Sequence, residues 1–381
     1  MDKFTLNWQS TVATHRDLLF SKKITAGHCA QHNSITYAPG EASALLQTNQ
    51  PPVSFPRHQF NGKQRHLSID PKVGRFYPQG YAWEALDCAR NDFRPFRLIG
   101  ATADTLTVDT NHPLAAYALS LSAPYEEAQW PDIAALLCAN GPGMQAPYPG
   151  VSPDFYGAYP FKRADERDDT LFYHTPRLVN HLDKTARAQL MALYGRLLQP
   201  GMKILDLMSS HVSHLPDELN ELHVTGLGMN QAELAANPRL QQRVVHDLNL
   251  SPQLPFADAS FDAVICSVSI EYLTQPLAVM QALARVVKTG GKVIMAFSTR
   301  WFPNKAISLW MEMHPFERQG LVLDYFLKTA QFSDLHTESV RGLPRPADDP
   351  HIRETVLSDP IFAVWGTKSY HASADRYSAF N

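Results

Sequence analysis

The sequence lacks the features of a disulfide-stabilised or membrane-spanning protein. None of its four cysteines stands in a close pair, which argues against a disulfide framework and against a zinc site. No apolar run reaches the length of about 18 residues that a spanning helix needs, and the start MDKFTLNWQS has no apolar core behind its lysine. We therefore expect a cytoplasmic protein without a signal peptide, with buried free thiols at Cys29, Cys88, Cys138 and Cys266.

An excess of charge of one sign is also absent. The chain carries 34 Lys and Arg residues against 37 Asp and Glu residues, a net charge of −3. So small a charge creates no field that would gather nucleic acid or an anionic membrane, and we expect neither as a partner. Hydrophobic residues make up 44% of the 381 positions, enough for globular cores, and the length predicts two domains.

Composition divides the chain into segments. Prolines cluster near residues 51–56 and 142–160, which predicts loops or linkers there. Short runs rich in Thr, Val, Leu and aromatics at 60–124 predict a small β-rich module. We therefore expect an irregular segment at 1–59, the β-rich domain at 60–124, a proline-rich connector at 125–170, an α/β domain at 171–370 and a tail at 371–381.

The C-terminal half alternates predicted helices and strands. Apolar residues recur at helical spacing from Leu178 to Leu197, and Gln199, Pro200 and Gly201 end that helix. Continuous apolar runs predict strands at 203–207, 223–227, 243–246, 261–266 and 292–297. Such runs alternating with helices indicate a parallel sheet covered on both faces. Ligands bind outside the carboxyl ends of such strands, so the residues after each strand are the candidate site.

Two phrases give this half a family resemblance. LPFADASFDAV stands at 254–264 and VKTGGKV at 287–293, and together with the strand order they resemble class I S-adenosylmethionine-dependent methyltransferases of the type 11 kind. The resemblance implies a Rossmann-like sheet flanked by helices, S-adenosylmethionine as cofactor, and methyl transfer as the activity. The cofactor-binding residues that we predict are Tyr173, Arg177, Asp206, Met208, Ser209, Ser210, Gly228, Met229, Asn230, Asp247, Leu248 and Ser267.

The resemblance also assigns roles. Asp247 matches the position that accepts from the adenine amino group, and Tyr173 and Arg177 precede the domain's first helix, where donors reach the cofactor carboxylate. After the first strand the family has glycines and then a helix N-terminus, whereas this chain has Ser209 and Ser210. The family's acid for the ribose hydroxyls is replaced by Gly228, so Asn230 is the nearest polar substitute.

The acceptor is expected to be a small molecule or a peptide group held between 173–177, 267–272 and 300–305. In-line transfer needs no invariant base, so the catalytic residue is unknown. Tyr272 is expected to be a wall of the pocket, Glu271 to begin a helix, and the histidines His174, His181, His211 and His214 to be structural, with no metal site. The alternative is a non-catalytic methyltransferase-like binding protein.

The segment LTVDTNHPLAA at 106–116 gives the N-terminal module a resemblance of its own. It is similar to the exit from the insert-in-flap region of SlyD-type FKBP prolyl isomerases, and GRFY at 74–77 and RPFRLIG at 94–100 fit the strands of that insert. The resemblance implies a peptide-binding role for this module. A purely structural β-module, or one that mediates homodimerisation, is the alternative.

Overall fold

The chain divides into two compact units. The computed structural model describes residues 2–21, 33–43, 46, 50–64, 67–123 and 153–370. Among these, unit 1 takes the residues up to Pro160 together with Ser308–Leu321, and unit 2 takes Phe161–Ile307 and the residues from Val322 onward. Most of the predicted connector and the predicted tail lie outside the described residues. In the described part, no helix is long and apolar enough to cross a membrane.

Unit 1 is built from strands. Strands β2, β1, β10 and β3 pair antiparallel in that order, strands β4, β9, β8 and β7 form a second antiparallel sheet, and β5 pairs with β6. Their bounds are β1 Asp2–Gln9, β2 Ala13–Ser21, β3 Asn33–Tyr37, β4 Val53–Pro56, β5 Lys63–Gln64, β6 Leu67–Ser68, β7 Phe76–Pro78, β8 Pro95–Ala101, β9 Thr105–Asp109 and β10 Leu119–Ala123.

The prediction of an irregular segment at 1–59 is wrong for its described residues, because β1 to β4 lie there. In β1 the alternate side chains of Phe4, Leu6 and Trp8 are buried, which is the period of a strand with one face on a core. In β2 the inward positions include His15, which is buried and stacks on the Trp8 ring with centroids 3.6 Å apart. A polar residue at an inward position hides the hydrophobic alternation from sequence reading.

Unit 2 is an α/β domain, and the expected fold class is confirmed. Its strand order is β13-β12-β11-β14-β15-β17-β16. The pairs from β13 to β15 are parallel, and β17 runs antiparallel to both β15 and β16. The strands are β11 Lys203–Leu207, β12 His223–Gly228, β13 Leu240–Val245, β14 Phe261–Ser267, β15 Val287–Phe297, β16 Phe332–Arg341 and β17 Ile361–Lys368.

All five predicted strands of unit 2 exist. Four of them contain a buried apolar run, whereas β13, at the edge of the sheet, is mostly exposed. The described α-helices are 5 to 14 residues long. They are α1 Asp169–Tyr173, α2 Lys184–Leu197, α3 Gln231–Ala236, α4 Pro276–Val286, α5 Ser308–Glu312 and α6 Arg318–Thr329. Of these, α5 and the first residues of α6 belong to unit 1.

Two predicted helix starts are wrong. The helix expected from Leu178 begins only at Lys184, because the Asp183 side chain accepts from the backbone N–H of Ala186 and caps α2 there. Glu271 lies in a 3₁₀ turn, Ile270–Tyr272, and the helix begins at Pro276, whose missing N–H suits the first helical position.

Candidate functional site

One cavity of about 500 Å³ lies within unit 2 at the carboxyl ends of β11 to β14. This is the point where the strand order reverses direction, between β11 and β14, and such a switch point is where α/β sheets bind ligands. The structure brings all twelve predicted cofactor-binding residues to its wall: Tyr173, Arg177, Asp206, Met208, Ser209, Ser210, Gly228, Met229, Asn230, Asp247, Leu248 and Ser267.

The loop after β11 is held by the carboxylate of Asp206. Its Oδ2 accepts from Ser209 Oγ at 2.6 Å and from Ser213 Oγ at 2.7 Å. The carboxyl group is buried, and burial raises its pKa to about 6, although the two hydroxyl donors oppose the shift. Asp206 therefore fixes the loop through hydrogen bonds to two of its serines, and it also lines the cavity.

The helix N-terminus that the family has after this loop is absent from the structure, in which residues 208–222 are all described. Residues between β11 and β12 form turns and irregular backbone. Met208 and His214 have positive φ values of 55° and 54°, which no helix accommodates, and Pro216 follows. The site can therefore offer backbone N–H groups of a turn to a ligand, but not a helix dipole.

Glycine is required at the end of β12 rather than in the loop. A Cβ at Gly228 would lie 2.2 Å from the carbonyl oxygen of Ser209, a backbone atom. The Ser209 N–H also donates to the carbonyl of Leu227 at 2.8 Å. The loop thus lies directly on the end of β12, and an acid at position 228 would exclude it.

The side chain of Asn230, predicted to meet the ribose, is bonded at both ends in this structure. Its Oδ1 accepts from the N–H groups of Ala232 and Glu233, which caps α3, and its Nδ2 donates to the carbonyls of Tyr173 and His174. Sequence reading missed Glu233, which lines the cavity and accepts from Ser210 Oγ at 2.7 Å. Glu233 stands three residues after Asn230, a spacing typical of a capping box, and this pattern could have predicted its position at the start of α3.

Asp247 follows β13 and keeps one carboxylate oxygen available. Oδ1 accepts from the N–H groups of Asn249 at 2.8 Å and Leu250 at 3.2 Å, so the side chain is oriented by its own turn. Oδ2 has no hydrogen-bond partner among the residues that the structure describes. Asn249 in turn donates to Asp169 Oδ2 and to the carbonyl of Tyr272, which fixes this turn against two other parts of the wall.

Two donors come from the segment around α1. The Arg177 guanidinium lies over the Phe172 ring at 4.4 Å and donates through Nη2 to the Phe172 carbonyl, which leaves its other terminal nitrogen unbonded within the described chain. Tyr173 lines the cavity, and burial raises the pKa of its hydroxyl, so the group stays protonated and can donate.

Five histidines line the cavity: His181, His211, His214, His246 and His351. Burial, together with the nearby charges of Arg187 and His211, lowers the pKa of His214 to about 4. His214 is therefore neutral at pH 7. Among the described residues, no three His, Cys, Asp or Glu side chains are grouped so that they could hold a metal ion.

The predicted acceptor side is formed by the residues after β14 and β15. Tyr272 is a buried part of the wall, and its Oη accepts from the Phe302 N–H at 2.8 Å. Lys305, at the end of the predicted 300–305 segment, does not reach the cavity. Its side chain is fully buried and pairs with Asp169 at 2.9 Å and Asp165 at 3.5 Å, because a buried ammonium needs carboxylate partners.

The expectation of buried free thiols holds for Cys266 and only in part for Cys88. Cys266, at the end of β14, is buried, and burial raises the pKa of its thiol. Cys88 is half-buried. Cys29 and Cys138 lie outside the described residues.

The sheet order defines a Rossmann-like domain, and the cavity lies at the sheet edge where such folds bind ligands. Residues 209–295 match the family described as a methyltransferase domain. A demethylmenaquinone methyltransferase from Beutenbergia cavernae is 31% identical over 124 residues, 32% of this chain and 50% of that protein. One from Corynebacterium glutamicum is 38% identical over 109 residues, 28% of this chain and 46% of that protein. The chain thus spans about half the length of these relatives.

Longer but weaker likenesses extend the comparison. A ubiquinone/menaquinone biosynthesis C-methyltransferase from Chromobacterium violaceum is 24% identical over 183 residues, 46% of this chain and 71% of that protein. Among solved structures, a SAM-dependent methyltransferase from Aquifex aeolicus is 13% identical with a TM-score of 0.32, covering 49% of this chain and 91% of that one.

Proposed function

We propose that unit 2 is an S-adenosylmethionine-dependent methyltransferase domain acting on an acceptor that is not identified. The observation that carries the proposal is the convergence of all twelve predicted residues on one cavity at the switch point of the sheet. The match of residues 209–295 to a methyltransferase domain supports it independently, as do the methyltransferase relatives.

The residues present fit the cofactor at three places. The spare oxygen of Asp247 can accept from the adenine amino group. The guanidinium of Arg177 and the hydroxyl of Tyr173 can donate to the cofactor carboxylate. At the ribose, Gly228 offers no side chain and Asn230 is already bonded, so Glu233 is the acid that the wall provides beyond β12.

When bound, S-adenosylmethionine supplies an electrophilic methyl group on a sulfonium. The task of the chain is then to hold the acceptor in line with that methyl group and to exclude water, which supplies rate without a dedicated base. The buried ring of Tyr272 and the half-buried side chains of Ser267 and Phe302 form a wall that suits this task. The oriented turns at Asp206 and Asp247 keep the wall in place without rearrangement.

The acceptor class is proposed as a small molecule or a peptide group. The names of the relatives bring quinone precursors into consideration for this chain. For unit 1, the likeness of residues 106–116 to the insert of SlyD-type isomerases supports a peptide-binding role. In the structure that segment is β9 followed by a turn, in which the His112 side chain accepts from the Leu114 N–H.

The test is transfer of an isotopically marked methyl group. The full chain is incubated with trideuteromethyl S-adenosylmethionine and a metabolite extract, and the mixture is searched by mass spectrometry for products that carry the heavy methyl group. We expect at least one product that forms with the wild-type chain and not with Asp247→Ala. Cofactor binding without any labelled product would favour the non-catalytic alternative.

A further inference from the structure

Arg300 places a guanidinium with unused donors in the cavity wall. It lies three residues beyond the end of β15 and lines the cavity. Its Nε donates to Asp359 Oδ1 at 3.0 Å, and its side chain is 30% exposed. Neither terminal nitrogen of Arg300 has a partner in the described part of the chain. The unused edge has the planar geometry that binds a carboxylate with two parallel hydrogen bonds.

The orientation of this guanidinium is fixed by a buried ion-pair network. Asp359 is 4% exposed, and the oxygen that receives Arg300 also receives Arg345 Nη2 at 2.5 Å. Its other oxygen accepts from the backbone N–H of Asp183, the residue that caps α2. Because Asp359 is tied to both Arg345 and the start of a helix, Arg300 is held before any ligand arrives, which lowers the entropic cost of binding.

The wall beside Arg300 is flat and aromatic. Phe302, two residues further on, stacks on Tyr272 with ring planes 29° apart and centroids 6.0 Å apart. Trp301 also lines the cavity. A ligand held by Arg300 would therefore have apolar ring surface next to its charged group, and such surface favours a planar body over a flexible polar one.

Two acidic side chains that line the cavity, Asp169 and Glu233, form their ion pairs and hydrogen bonds with residues other than Arg300. Asp169 is paired with Arg163 at 2.7 Å and with Lys305 at 2.9 Å. Glu233 accepts from Ser210 Oγ at 2.7 Å and from the backbone N–H of Arg177 at 2.7 Å. Within the described residues Arg300 is thus bonded only at Nε, by Asp359, and its side chain lines the cavity with both terminal nitrogens unbonded.

We propose that Arg300 anchors a methyl acceptor that carries a carboxylate on a flat unsaturated body, which packs along Tyr272 and Phe302. The inference rests on the proposed function, because it takes Arg177 as the partner of the cofactor carboxylate and leaves Arg300 to the acceptor. It narrows the acceptor from any small molecule to an organic acid. The neutral quinone precursors suggested by the relatives are the competing class.

The test compares benzoate with benzamide, which share a shape and differ in charge. Each is titrated by calorimetry into the full chain, with and without saturating S-adenosylhomocysteine. We expect benzoate to bind the wild-type chain at least about tenfold more tightly than benzamide, since a charge-assisted bidentate pair is replaced by neutral bonds. Arg300→Gln should remove that preference.

The matched control is Arg353→Gln. Arg353 is exposed, does not line the cavity and has no bonded partner in the described ranges, so its loss changes the net charge equally without touching the site. It should keep the preference for benzoate. Arg300→Lys, which retains the charge but loses the planar edge, should fall between wild type and Arg300→Gln. Melting curves and S-adenosylhomocysteine affinity show whether each variant is folded.

Three results would overturn the inference: no binding of either compound, equal binding of both to the wild-type chain, or an unchanged preference in Arg300→Gln. Failure of the proposed function has a different signature. In that case S-adenosylhomocysteine does not bind the wild-type chain, while the benzoate titration without it still reports on Arg300 alone.

Discussion

Replacement of Gly228 by alanine tests whether the close approach at the end of β12 builds the cofactor loop. The added Cβ would lie 2.2 Å from the Ser209 carbonyl oxygen and 3.2 Å from Leu234 Cδ2. To reach even 3.0 Å from the new methyl group, the Ser209 carbonyl must retreat by about 0.8 Å. That shift strains the 2.8 Å bond from the Ser209 N–H to Leu227 and the Ser209 bond to Asp206.

We expect Gly228→Ala to lower the free energy of unfolding by about 2–3 kcal/mol, from overpacking and one weakened buried hydrogen bond. Affinity for S-adenosylhomocysteine should fall at least about tenfold, measured by calorimetry on the folded variant. The control is Gly195→Ala on α2, where the new methyl group meets nothing closer than Pro216 at 3.5 Å and helix propensity favours alanine. Unchanged stability and affinity in Gly228→Ala would refute this account of the loop.

Three further changes probe neighbouring residues. Met208→Gly should be more stable than Met208→Ala by about 1 kcal/mol in urea unfolding, because position 208 has a φ of 55° that only glycine adopts without strain; equal stabilities would contradict this. The raised pKa of Asp206 stabilises the fold below about pH 4, and this contribution is lost as pH rises through about 6. Wild type should therefore lose about 2–3 kcal/mol relative to Asp206→Asn between pH 4 and pH 7, and parallel pH profiles would count against it. Asp247→Ala should weaken S-adenosylhomocysteine binding more than His211→Ala does in calorimetry, whereas a larger loss for His211→Ala would indicate a different binding mode.

The parallel half of unit 2 could be predicted because its signal is local. The strands from β11 to β15 contain short apolar runs, although in β13 the run is only Val244 and Val245. The polar residues that follow these strands must share one edge of the sheet. That geometry was enough to collect residues as distant as Asp206 and Ser267 around one cavity, whereas Tyr173 was predicted from the family resemblance. The antiparallel strands β16 and β17 were not predicted. β16 mixes buried Thr337 and Glu338 with apolar residues, whereas the apolar run of β17 was overlooked.

The features of the site that could not be predicted from the sequence depend on contacts between residues that are distant along the chain. In the family, glycines are needed in the loop after the first strand, whereas in this chain the position that needs glycine is Gly228. This need is visible only in the structure, from the close approach of the Ser209 carbonyl. From the sequence, Lys305 was expected to donate to a ligand because it lies in a polar, aromatic segment. In the structure its side chain is buried and forms ion pairs with Asp169 and Asp165. The Arg300 anchor depends on Asp359, about sixty residues further along the chain, which no local pattern connects to it.

The central claim is that the cavity of unit 2 binds S-adenosylmethionine, and the most direct measurement is the unfolding free energy of the wild-type chain with and without the cofactor. Because a ligand that binds only the native state stabilises it, S-adenosylmethionine or S-adenosylhomocysteine at a hundredfold excess over the dissociation constant should add about 2.7 kcal/mol. A melting curve that neither compound moves at millimolar concentration, together with no calorimetric heat of binding, would contradict the claim.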